Sequence, residues 1–113
     1  MTTQSAPNNA TRFFIVVQLD NASTLQRVSY DVPGIITLLK SCSTGEDVAV
    51  FRSNDGVLFG LFVKSDLSQD VIQKRFDASP HTNNKDAILI TDVGNATASS
   101  LGFSRASTWL KRH

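Results

Sequence analysis

The chain has a single cysteine, Cys42, in 113 residues, so no intramolecular disulfide can brace it. That fits a reducing compartment, and the expected location is cytoplasmic. Charge is also scarce. Charged residues make up 19% of the chain and the net charge is +1, so no global field pulls it onto nucleic acid or membrane. No apolar run approaches the length of a membrane span. The opening MTTQSAPNNATR has neither a basic start nor an apolar core and does not read as a signal peptide. Without a secretion signal, the Asn-x-Ser/Thr sequences at Asn9, Asn21 and Asn95 are not read as glycosylation sites. There is no Gly-x-Gly-x-x-Gly, no P-loop and no Gly-x-Ser-x-Gly. No Cys/His cluster has zinc spacing, and His81 and His113 lie too far apart to suggest a ligand pair. Cys42 with two scattered histidines gives no nucleophile signature, so a buried helical thiol is the expectation.

What is present is a hydrophobic fraction of 41%, enough for one small domain with a thin core. Residues 1–11 are small and polar and read as a disordered tail ahead of a single domain over 12–113. Arg12–Asp20, RFFIVVQLD, is apolar on both faces for most of its length and predicts a central strand. Residues 24–30 are ambiguous between an extra short strand and a lead-in to a helix. Asp31–Cys42 reads as that helix, capped by Asp31, with Val32, Ile35, Ile36, Leu39 and Cys42 on its buried stripe. Gly45 is a plausible C-terminal cap.

Val48–Lys64, VAVFRSNDGVLFGLFVK, is the clearest local structure, two apolar runs around Ser53-Asn54-Asp55-Gly56. Gly60 inside its second arm suggests a bulge or a close backbone approach. Ser65–Asp77 predicts a second helix, with Asp66 and Gln69 as a capping box and Leu67, Val71, Ile72 and Phe76 buried. A loop over 78–86, a strand over 87–94, a second loop and a short terminal helix from Ser104 complete the chain. The expected fold class is therefore α+β, a ferredoxin-like βαββαβ antiparallel sheet with two helices on one face and a short C-terminal helix. The sheet face away from the helices would be a large apolar patch, which predicts homodimerisation through the sheet or its edge.

Three stretches of this pattern resemble a group of small ferredoxin-like proteins. These are the Cas-type integration-subunit nuclease of CRISPR adaptation, the VapD-like toxins and the SinR-like proteins. The stretches are VVQLD, ending in Asp20 where the nuclease family keeps an aspartate; LFVKSDLSQDVIQKRF; and DAILITDVG with the later WLKRH. Where the family has a tyrosine before the acid, this chain has Gln18-Leu19. The resemblance implies a prokaryotic or phage protein from a mobile-element or defence setting.

The leading functional expectation is a small non-enzymatic binding or regulatory protein, homodimeric, with a protein partner or nucleic acid as further candidates, no membrane association and no cofactor. The alternative is a metal-dependent endonuclease in which two copies of Asp20, facing across a dimer axis, hold one Mg²⁺. Against that stands the ordinary role of a strand-terminal Asp in starting a turn. A second alternative is a non-catalytic nucleic-acid-binding domain. Gly56–Val63 faintly echoes the aromatic strand of RNA-recognition modules, with Phe59 and Phe62 as the candidate aromatics, although alternation puts them on opposite faces and core packing explains both. The basic residues Arg105, Lys111 and Arg112 are candidate phosphate contacts, or else complement the terminal helix dipole.

Overall fold

The computed structural model describes residues 10–20, 26–45, 48–53, 58–94 and Trp109. Within them the chain forms an α+β structure with a four-stranded antiparallel sheet and two α-helices. The strands are β1 (Thr11–Gln18), β2 (Ala49–Arg52), β3 (Leu58–Ser65) and β4 (Ala87–Asp92). Their spatial order is β2-β3-β1-β4. α1 (Val32–Ser41) links β1 to β2, and α2 (Gln69–Asp77) links β3 to β4.

The doubly apolar β1 is central, pairing with β3 on one side and β4 on the other. Its alternation divides the molecule. Phe13, Ile15 and Val17, with Phe59, Leu61 and Val63 of β3, lie beneath both helices. α1 contributes Val32, Ile35, Ile36 and Leu39 to this core, and α2 contributes Ile72 and Phe76. Fully burying each such aliphatic side chain contributes about 1.5–3 kcal/mol. The opposite face carries a smaller cluster of Ala49, Phe62 and Trp109, with Phe14, Phe51 and Val93 packed against it.

Several helix boundaries differ from the sequence expectation. Asp31 does not cap α1. Gln26, the first described residue of this segment, is already helical, and the chain passes through a π-helical turn over Arg27–Asp31. Asp31 is itself helical, with φ −74° and ψ −41°, and its side chain makes no capping bond. The carboxylate is instead engaged by Arg27 and His81. The widened turn also suits Pro33, which lacks an N–H and whose ring crowds the carbonyl one turn back in a regular helix. Residues 26–30 are thus the lead-in to α1, while 21–25 lie outside the described residues. Gly45 does not adopt a left-handed cap. α1 closes through Cys42 N–H to the Leu39 carbonyl and Ser43 N–H to the Lys40 carbonyl. Cys42 is buried there, its Sγ 3.6 Å from the Leu38 carbonyl.

α2 starts at Gln69, later than expected, because Ser68 rather than Asp66 is its cap and accepts the Val71 N–H at 3.2 Å. The shift leaves Ile72 and Phe76, four apart, as the buried stripe, and turns Val71 outward at 38% exposure. Gly60 marks a close approach rather than a bulge. The β3 register is unbroken, and a Cβ on Gly60 would meet the Phe51 ring at 2.6 Å. The hairpin closes through Ser53 N–H to the Leu58 carbonyl at 2.8 Å, and its turn lies outside the described residues. So does the terminal helix, apart from Trp109, which is helical and buried.

The cap assignment has a direct test. Ser68→Ala is expected to cost about 1 kcal/mol in urea unfolding, whereas Asp66→Ala should change stability by no more than about 0.5 kcal/mol. Equal losses would return the cap to Asp66.

Candidate functional site

Two places among the described residues concentrate chemistry, a buried cluster of charges at one end of the sheet and an aromatic cluster on the face away from the helices. The cluster starts with Arg27 and Asp31, four apart on the π-helical turn, where their side chains meet with Nη1 2.9 Å from Oδ2. Arg27 Nη2 also donates to both oxygens of Asp86, at 2.5 and 2.6 Å. The Asp86 carboxylate further accepts the backbone N–H of Asp20 at 2.8 Å and of Asn83 at 2.9 Å. Its side chain is 0% exposed, and that of Arg27 15%.

The segment from 78 to 86 is folded by its own short-range bonds. Thr82 Oγ1 donates to the Phe76 carbonyl at 2.7 Å, and Lys85 N–H donates to Asn83 Oδ1 at 2.8 Å. This carries His81 onto α1, where its Nδ1 lies 3.2 Å from Asp31 Oδ1 and Tyr30 meets the ring edge-on at 4.8 Å. Gly34 makes room, since a Cβ there would overlap the imidazole.

Burial alone lowers the Arg27 pKa, but the hydrogen bonds to Asp86 and Asp31 outweigh it and the net direction is upward. A raised cation pKa contributes stability that is complete below the ordinary arginine value and is lost only as pH climbs through the higher folded value. Arg27 therefore stays charged across any working pH. Chemically the cluster is a clamp. Its charges are spent on one another and tie the π-helical turn, the end of β1 and the loop before β4.

Asp20 joins this clamp through its backbone and lines, with Gln18, Leu19, Lys85 and Ala87, a depression of about 210 Å³. Asp92 does not join it. The register sets Asp92 opposite Phe13 and Ala87 opposite Gln18, so the two acids lie at opposite ends of the sheet, roughly 20 Å apart at strand spacing. Among the described residues no group of three or more His, Cys, Asp or Glu is placed to hold a metal.

On the face away from the helices the rings of Phe14 and Phe62 stack at 4.7 Å, and Phe14 and Phe51 at 5.7 Å. Trp109 covers Phe62 at 5.6 Å. Away from this cover Leu58 is 42% and Leu89 62% exposed. Phe59 and Phe62 do take opposite faces, and Phe59 is buried beneath the helices rather than presented. Arg105, Lys111 and Arg112 lie outside the described residues. Sequence reasoning missed Arg27, Asp31, His81 and Asp86 as a unit. The only local signal was the Arg27–Asp31 spacing.

Removing one partner of a buried pair strands the other charge. Asp86→Asn is therefore expected to cost about 3–5 kcal/mol, read as a lower urea midpoint; a loss below about 1 kcal/mol, the surface-pair range, would show the clamp to be marginal. A helical glycine usually gains about 1 kcal/mol on change to alanine. Gly34→Ala should instead lose about 1–3 kcal/mol by displacing the imidazole, and should become stabilising in a His81→Ala background. Comparison with known proteins adds no assignment to this geometry: no protein family, curated protein or solved structure matches the chain.

Proposed function

We propose that the protein is a small non-enzymatic binding or regulatory domain of ferredoxin-like βαββαβ architecture that works as a homodimer through its sheet. The observation that carries this reading is the sheet face away from the helices, where Leu58 and Leu89 stay in solvent beside the stacked rings of Phe14, Phe51 and Phe62, the last of them packed on Trp109. Apolar surface gathered on one face marks an interaction site more often than a solvated one. The architecture is supported by the order β2-β3-β1-β4, with a helix in each connection that passes over the sheet. The resemblance to the CRISPR-adaptation group suggests a prokaryotic or phage setting for the binding role. The clamp supports a structural rather than catalytic use of its acids, because Asp31 and Asp86 are engaged by Arg27 and His81.

Light scattering on the purified protein is expected to give twice the chain mass at micromolar concentration, and a strict monomer would overturn the dimeric reading. The endonuclease alternative is separable. Asp20 serves the fold through its main chain, so Asp20→Ala should keep stability within about 0.5 kcal/mol. Cleavage of RNA or DNA by the wild type with Mg²⁺, abolished in this folded variant, would replace the binding reading with the nuclease.

A further inference from the structure

Among the described residues β2 and β4 are the outer strands of the sheet, and they are not equivalent. β2 is four residues long and ends in Arg52, the short and charged form in which edges are usually protected. β4 is six residues, AILITD, with no Lys, Arg or Pro. Its register with β1 is unbroken, so no bulge twists it away. The direction of its backbone groups follows from the ladder. Val93 N–H donates to the Arg12 carbonyl at 3.0 Å, which turns the main chain of Val93, Thr91, Leu89 and Ala87 toward β1. The N–H and C=O groups of Ile88, Ile90 and Asp92 then point outward. Gln69 confirms this by donating from its exposed side chain to the Ile90 carbonyl at 3.3 Å. Apart from the Ile90 carbonyl, which Gln69 occupies and a pairing strand would take over, the edge presents an unbulged ladder whose one charged side chain is the terminal Asp92, beside a leucine that is 62% exposed.

We propose that β4 pairs antiparallel with β4 of a second copy, with Leu89 opposite Leu89 and Ile88 opposite Ile90 across the dyad. This rests on the homodimer reading and supplies its surface. Outward-facing groups can meet only in registers that oppose Ile88, Ile90 or Asp92 to one another. Centring the dyad on Ile90 or on Thr91 puts an isoleucine beside Asp92. Centring it on Ile88 sets Ile90 against Asp86, whose carboxylate is held in the clamp. Centring it on Leu89 sets Ile88 against Ile90 and Ala87 against Thr91, and brings Asp92 to Asp86 only beyond the strand end, where that carboxylate is buried and already held by Arg27. The exposed leucine then closes on its own copy at a non-hydrogen-bonded position, where side chains approach most closely. About four backbone hydrogen bonds form across the dyad, since an antiparallel ladder carries a pair at every second residue. The two sheets become one continuous sheet, and the unprotected edge is removed.

Cysteine cross-linking reads the register directly. In a Cys42→Ala background, Leu89→Cys is expected to form an intermolecular disulfide on mild oxidation, because facing Cβ atoms at such a pair are within bridging distance. Thr91→Cys alone should not, yet should cross-link to Ala87→Cys when the two variants are mixed. Leu89→Lys, a change at an exposed position, is expected to keep the fold's melting behaviour and weaken the dimer at least about tenfold, by placing like charges opposite each other. It should also remove the hydrogen-exchange protection of the Ile88 and Ile90 amides seen in the wild type. A dimeric wild type in which Leu89→Cys fails to cross-link and Leu89→Lys leaves the mass unchanged would overturn this surface while leaving the homodimer standing. A monomeric wild type would overturn both. A monomer whose Ile88 and Ile90 amides are nonetheless protected would show another strand on the edge and overturn the second-copy assignment.

Discussion

The bidentate contact between Arg27 and Asp86 is the interaction on which the rest of the arrangement depends. The partners are 59 residues apart. Arg27 leads into α1, and Asp86 sits just before β4, so their contact fixes where the last strand begins relative to the first helix. The same carboxylate accepts the Asp20 amide at the end of β1. One side chain thus sets three chain segments in register before any apolar packing is counted. Bidentate geometry suits this work because the guanidinium fork and the carboxylate constrain orientation as well as distance. Desolvating two charges is costly, so the clamp is better understood as specifying one arrangement than as a large source of net stability.

The topology adds a kinetic aspect. The central strand comes first in the chain, and its two partners come later, with β4 last. The pairing of Phe13 with Asp92 spans nearly the whole described chain, and such non-local contacts pay their loop-closure entropy before they return any stability.

The parts legible from sequence were those with a local period. β1 and β3 were recognised as strands and their residues grouped by face, down to the split between Phe59 and Phe62, but which face of β3 lies beneath the helices stayed open because both are apolar. The apolar stripe of α1 was equally plain. Helix starts were less so, because Asp66 and Ser68 are both acceptable caps and only the depth of Ile72 and Phe76 decides between them. Asp31 looked like a cap because Asp before an apolar stripe usually is one. Its true partners, Arg27 one turn back and His81 far along the chain, outbid the main chain for its carboxylate. Asp86 and His81 gave no sign of their role, since a polar loop residue has no period to betray a distant contact. The exposed edge of β4 was foreshadowed only as a general expectation of an interface. Choosing it over the sheet face required the backbone ladder, which sequence does not show.

The lone cysteine has a use that its scarcity creates. Cys42 is buried at the end of α1, and its carbonyl is held by Ser65 at 2.6 Å, so the thiol meets solvent only when that helix end lifts from β3. With no second thiol in the chain, the rate of modification in the native state, set against that of an unprotected thiol, measures the equilibrium of this one local opening. The molecule therefore carries a built-in clock for the breathing of its core, placed away from the β4 edge and readable without any label.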